Sequence, residues 1–195
     1  NCDLLCVSGG YTPAVHLFTQ SGGKLIFDEE KYLLEGVEKS FSSAEMIGYL
    51  ETLRSKYPIS SIEDGLDEED WDGWKVLTER LGSSTQLVGD DIFATNTNRI
   101  KKGIKQNVAN SVLVKINQIG TITEVMEAVN LSKENSYKTV VSHRSGETED
   151  TSIADIAIGL CSGQIKAGAP SRTDRVAKYN RMLILEEKFN IPFSS

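Results

Sequence analysis

The sequence predicts an α/β fold of short parallel strands joined by helical crossovers, as in an open sheet or a (β/α) barrel. Two observations carry that prediction. From Pro58 onward, short β-branched runs alternate with stretches whose apolar residues recur at helical spacing. In addition, a notable polar residue stands within two positions of the end of each predicted strand. Glu63, Asp90, Lys115, His143 and Lys166 follow one another at intervals of roughly 23 to 28 residues, about the length of one strand-loop-helix-loop unit. A shared phase at that period puts all five at the same end of one sheet or barrel, where such folds carry their chemistry.

The first thirty residues hold two apolar patches, Leu4-Leu5-Cys6-Val7 and Val15-His16-Leu17-Phe18, set between glycines and Pro13. Both read as short strands with turns around them. Ser42 and Glu45 form a capping-box pattern that opens a helix through Met46, Ile47, Leu50 and Leu53, and Pro58 stops it. Pro58 to Ile62 is a strand. Glu68 to Leu81 is a helix whose apolar face carries Trp71, Trp74, Val76, Leu77 and Leu81. Gln86-Leu87-Val88 is the next strand, Thr97 to Lys105 a helix, and Ser111 to Val114 a strand. Thr121 to Ser132 is a helix facing inward through Ile122, Val125, Met126 and Val129. Thr139 to Val141 is a strand, Ile153 to Leu160 a helix, Gln164-Ile165 a brief strand, and Arg175 to Phe189 the closing helix.

Composition excludes several classes. With 195 residues, 39% hydrophobic and 25% charged, the chain has the make-up of a globular protein able to build one core. A net charge of -7 argues against nucleic acid or an anionic membrane as the main partner, and no apolar run spans a bilayer. Three cysteines without paired-ligand spacing suggest a reducing, cytoplasmic setting with neither disulfides nor a zinc site.

The strand-end residues suggest a chemistry. Glu63-Asp64 and Asp90-Asp91 are hard oxygen ligands suited to Mg²⁺, which keeps several waters and takes few protein ligands. Lys115 and Lys166 end two further strands, and a desolvated lysine beside other cations can act as a base. The stretch Ser142-His143-Arg144-Ser145-Gly146-Glu147-Thr148-Glu149-Asp150 has a basic end and an acidic end. It reads either as a charged loop capping the next helix, through Thr151 or Ser152, or as an anion site in which Arg144 and Ser145 hold a phosphate or carboxylate. Together the set suits removal of a proton beside a carboxylate. Phosphoryl transfer would bring a glycine-rich phosphate loop, and none occurs. Schiff-base chemistry leaves the paired carboxylates unexplained.

Several long strings resemble one family. Ser61-Ile62-Glu63-Asp64-Gly65-Leu66-Asp67, Leu87-Val88-Gly89-Asp90-Asp91, Val114-Lys115-Ile116-Asn117-Gln118-Ile119-Gly120, the stretch from Ser142 to Asp150, and Gln164-Ile165-Lys166-Ala167-Gly168-Ala169-Pro170 with Ala177-Lys178-Tyr179-Asn180 closely resemble the C-terminal part of enolase, phosphopyruvate hydratase. The resemblance runs from about Lys31 to the end and implies a partial TIM-like (β/α) barrel, the C-terminal portion of an enolase-type barrel domain. It implies interconversion of 2-phosphoglycerate and phosphoenolpyruvate in glycolysis, a Mg²⁺ cofactor and a homodimeric full-length protein. By that pattern Glu63 and Asp90 are metal ligands and Lys115 is the proton acceptor. Arg144 and Ser145 hold the phosphate, Lys166 meets the substrate carboxylate region, His143 lies close to the substrate, and Glu63 also contacts it.

Two features depart from the family pattern. Residues 1–30 carry no matching string and read as a foreign or misjoined lead segment. The family's first metal aspartate would fall near Gln20-Ser21-Gly22, where no acid stands, and its proton-donating glutamate and N-terminal α+β domain belong upstream. Three readings therefore stand: an enolase region whose activity is incomplete in this chain, a catalytically inactive enolase-like fragment acting as a binding or structural module, and a relative acting on another carboxylate.

Overall fold

The computed structural model describes residues 5–7, 25–28, 31–34 and 40–191. The chain divides into two compact units, Asn1–Phe93 with Asn98–Ser111, and Ala94–Thr97 with Val112–Ser195. Each has the expected α/β character.

In the first unit, β1 (Leu5–Val7) lies parallel to β5 (Ile59–Glu63), and β5 lies parallel to β6 (Gln86–Gly89). β2 (Leu25–Asp28), β3 (Lys31–Leu34) and β4 (Ser40–Phe41) form a separate antiparallel sheet. β1 coincides with the first expected strand, whereas Val15 to Phe18 and the Gln20 to Gly22 position lie outside the described residues. The β2–β3 pair was not expected, because the residues between the strands, Glu29 and Glu30, lack the Asn-Gly or Asp-Gly pair that advertises a hairpin.

Helix α1 (Ser43–Lys56) starts as the capping box requires. The Ser42 N–H donates to Glu45 Oε2 at 2.8 Å, and the Glu45 N–H donates back to Ser42 Oγ at 3.3 Å. Met46, Ile47 and Leu50 are its buried stripe, and the extended Tyr57 before Pro58 ends it. Helix α2 (Trp71–Leu81) begins three residues later than its pattern suggested because Asp70 is the cap, accepting from the Gly73 N–H at 2.9 Å. Trp71, Trp74, Leu77 and Leu81 are buried and Val76 is exposed. Asp70 is also a junction between elements, accepting the hydroxyls of Tyr32 at 2.7 Å and Ser43 at 2.5 Å. Burial, with the charge of Asp70 beside it, pushes the Tyr32 phenol far above the usual tyrosine range. Helix α3 (Thr97–Gln106) buries Ile100 and Gly103.

In the second unit the strand order is β7 (Ser111–Val114), β8 (Lys138–Ser142), β9 (Gly163–Lys166), with Ser142 opposite Lys166 in the parallel β8–β9 pair. β7 is buried throughout, as a strand covered on both faces should be. A single-turn helix, α4 (Ile116–Ile119), follows it and closes at Gly120, whose φ of 110° is open to glycine. Helix α5 (Ile122–Glu134) is capped by Thr121 and buries Val125, Ala128 and Val129. Ile122 and Met126 are exposed, so its apolar face is narrower than the periodicity implied. Helix α6 (Ser152–Gly159) buries Ile153, Ala154 and Ala157. Helix α7 (Thr173–Phe189) inverts the usual pattern. Its buried residues are Asp174, Arg175, Lys178 and Leu185, while Leu183, Ile184 and Phe189 are exposed.

Candidate active site

Each unit collects one kind of charge at the C-terminal ends of its strands. In the first, β5 ends on Glu63 and β6 is followed by Asp90, side chains only 6% and 2% exposed. Asp64 turns the chain away from β5 with a left-handed φ of 43°. Its N–H donates to the Val88 carbonyl at 2.9 Å, and its carboxylate accepts from the Asp90 N–H at 2.7 Å and the Asp91 N–H at 3.0 Å. One side chain thereby fixes the backbone of both following acids. Gly89, just before these acids, leaves room for the Phe93 ring, since a Cβ there would lie 2.5 Å from it.

Carboxylate oxygens of Asp64, Asp90 and Asp91 lie within 4.8 Å of one another. Burial, then the charge of Asp90, push the Asp64 carboxyl well above its ordinary range against the pull of the two N–H groups. Buried like charges this close favour a proton or a cation among them, and an all-oxygen donor set fits a hard divalent ion. Glu63 is not one of the three. The loops around them are tied by Arg99 of α3, which donates to the carbonyls of Ile92 and Glu68 and forms a 3.0 Å ion pair with Glu69.

In the second unit Lys115, 8% exposed, follows β7, and its N–H donates to Thr95 Oγ1 at 2.9 Å. His143, Arg144 and Ser145 follow β8, and Lys166 ends β9 with its carbonyl accepting the His143 N–H at 2.8 Å. Helix α7 grips this loop. Arg175 Nη1 contacts His143 Nδ1 and donates to the Arg144 carbonyl at 3.1 Å, and Nη2 donates to the Ser145 carbonyl at 3.2 Å. The fully buried Lys178 pairs with Glu147 at 2.9 Å and donates to the carbonyls of Thr148 and Asp174. Glu147 in turn accepts the Arg144 N–H at 3.0 Å, and Asn117 of α4 accepts from Arg144 Nη1 at 2.9 Å.

The electrostatics follow from these contacts. Burial and the neighbouring Arg175 pull the His143 imidazole down to about 4, so it is neutral at physiological pH. Burial raises the Glu147 carboxyl, but the Arg144 N–H and Lys178 outweigh it and leave it below the ordinary range. The family model of the enolase C-terminal TIM barrel domain matches residues 6–191. The chain belongs to this family.

The match begins at residue 6, in β1, upstream of the Lys31 from which the resemblance could be read. It carries an acidic cluster able to hold a metal. Among the described residues no helix is long and apolar enough to cross a membrane. Asp90 joins Asp64 and Asp91 in one cluster, while His143, Arg144 and Ser145 share one gripped loop. Glu147 lies apart from the start of α6. It is a clamp between Arg144 and Lys178, and Asp150 instead accepts the Ser152 N–H at 2.9 Å where α6 begins. Sequence reasoning missed the roles of Thr95, Arg99, Arg175 and Lys178. Of the charges facing inward on α7, only Lys178 lies within a resembling string, and no local pattern marks a buried cation.

Proposed function

We propose that this chain serves the Mg²⁺-dependent dehydration of 2-phosphoglycerate to phosphoenolpyruvate, a lyase reaction of glycolysis, and that its own residues perform proton abstraction and anion binding. The observation that carries this reading is the family match together with the run of chemically capable residues ending successive strands. Glu63 and Asp90 would hold the metal, with Asp64 fixing the backbone of Asp90. When bound, Mg²⁺ supplies positive charge against the substrate carboxylate as a proton leaves the neighbouring carbon.

Lys115 takes that proton. Its burial excludes water from the transfer, and the Thr95 contact fixes where its side chain starts. Arg144 and Ser145 hold the phosphate, oriented by carbonyl contacts to Arg175. Lys166 and Glu63 contact the substrate, Lys166 on the carboxylate side, and His143 lies close by. The same reading carries a cytoplasmic location and a homodimeric full-length protein.

The test is a coupled absorbance assay for phosphoenolpyruvate with and without Mg²⁺, run beside loss of deuterium from carbon 2 of the substrate. Deuterium loss that needs Mg²⁺ and Lys115 supports the assigned half-reaction. Mg²⁺-dependent binding of 2-phosphoglycerate with neither exchange nor product would replace it with the binding-module reading.

A further inference from the structure

Arg175 makes three contacts with one loop, and the contact to His143 bears on which ring nitrogen carries the proton. A guanidinium has five N–H donors, no acceptor, and stays charged at any relevant pH. The ring nitrogen it faces, Nδ1, must therefore present its lone pair. A neutral imidazole has one proton to place, so that proton sits on Nε2. We propose that Arg175 is a positioning residue of this site, holding His143 as the Nε2–H tautomer so that His143 serves the substrate as a hydrogen-bond donor and not as a proton acceptor.

The surroundings support this assignment. The charged groups facing the ring are Arg175 and Lys178 from α7, Lys166 from β9, and Glu147 from its own loop; three are cations and one an anion. Partial burial first, and then that balance, opposes a second proton. Arg175 is itself held, with a side chain 10% exposed and Nε paired to Asp174 at 3.3 Å. Gly168, with a φ of 89°, makes room for it, since a Cβ there would lie 2.9 Å from Arg175 Cδ. The carbonyls of Arg144 and Ser145 on the same guanidinium link the tautomer to the placement of the two anion-binding residues. The donor role rests on the enolase-type reading, whereas the tautomer does not.

The chain has two histidines, His16 and His143, so histidine labelled with ¹⁵N gives two imidazoles, and His16→Gln assigns them. Two-bond proton–nitrogen correlations of the unliganded chain report the tautomer directly. The expected result is a His143 with Nδ1 unprotonated that does not titrate down to about pH 5. In Arg175→Met its midpoint rises part of the way toward the ordinary histidine value, since burial still opposes the charge, and both tautomers appear. Arg175→Lys, whose single ammonium cannot span three acceptors, moves it less far.

A wild-type His143 protonated on Nδ1, or a midpoint that neither variant moves, would overturn the assignment. Circular dichroism identifies a variant that fails to fold, and the wild-type spectrum decides the tautomer without it. In turnover, Arg175→Lys should raise KM and shift the acid limb of the kcat/KM profile upward, which a merely structural arginine would not do. A wild-type chain with neither turnover nor exchange at carbon 2 of the substrate but with the expected tautomer would sink the enolase reading and the donor role, and leave the Arg175–His143 contact standing.

Discussion

The acidic tips of the first unit and the cationic loop of the second are both held rigid, by opposite means. Asp64 accepts backbone N–H groups from Asp90 and Asp91, so a site of negative charge is organised by amide dipoles from the adjacent strand end. The loop bearing His143, Arg144 and Ser145 is organised by donors from a helix thirty residues away, which bind its carbonyls and its one inward carboxylate. Backbone donors suit a cluster that must hold a cation, because they partly offset carboxylate repulsion without neutralising it. Buried side-chain cations suit a loop that must hold an anion, because they satisfy its carbonyls and keep the local field positive. In each case the holding group serves the ligand's charge as well as the fold.

The largest expected effect tests the division of labour itself. Lys115→Ala should cut deuterium exchange at carbon 2 of 2-phosphoglycerate by about 10³-fold while leaving inorganic phosphate binding, followed by calorimetry, unchanged. Unchanged exchange would remove Lys115 from the base role.

Next, Lys178→Met should destabilise the chain by about 3 kcal/mol in urea unfolding, because it strands the Glu147 carboxylate and two carbonyls at a buried position. A loss confined to the exposed-pair range, below about 1 kcal/mol, would mean that the loop holds itself.

On the acidic side, Asp64→Asn keeps the shape but offers one acceptor where two are used. Mg²⁺ affinity by isothermal titration should fall about tenfold, the usual effect of losing a group that orients a ligand. An unchanged affinity would separate Asp64 from the metal.

The smallest effect is on pH dependence. The folded His143 titrates near 4 against an ordinary 6.5, so between these values the unfolded chain takes up a proton that the folded one refuses. Stability should therefore fall as pH drops from 6.5 toward 4, by about 1 kcal/mol once solvent screening of the half-buried ring is allowed for. His143→Gln should flatten that limb. Asp64 acts with the opposite sign, since its raised carboxyl makes the folded chain keep a proton longer and lose stability as pH rises past the ordinary carboxylate range.

These contacts also mark where reading the sequence reached its limit. The capping box at Ser42 and Glu45, the Thr121 cap and the buried stripe Trp71, Trp74, Leu77, Leu81 were legible because each depends on residues within a few positions of one another. The strand-end residues were legible through their shared interval. Arg99, Arg175 and Lys178 were not, because their partners lie about thirty positions away and a charged residue on a helix ordinarily faces water. Val76, Ile122 and Met126 erred the other way, since periodicity finds the direction of an apolar face but not its width.

The charged inner face of α7 has one more consequence. A helix docked through ions to the carbonyls of a remote loop shares the fate of that loop, so the two should open and close as a single unit in hydrogen exchange. An anion seated at Arg144 and Ser145 would then be recorded as slowed exchange along the amides of α7, although none of them touches it. Conversely, trimming the chain back past Thr173 would release the anion grip before it disturbed the buried strands.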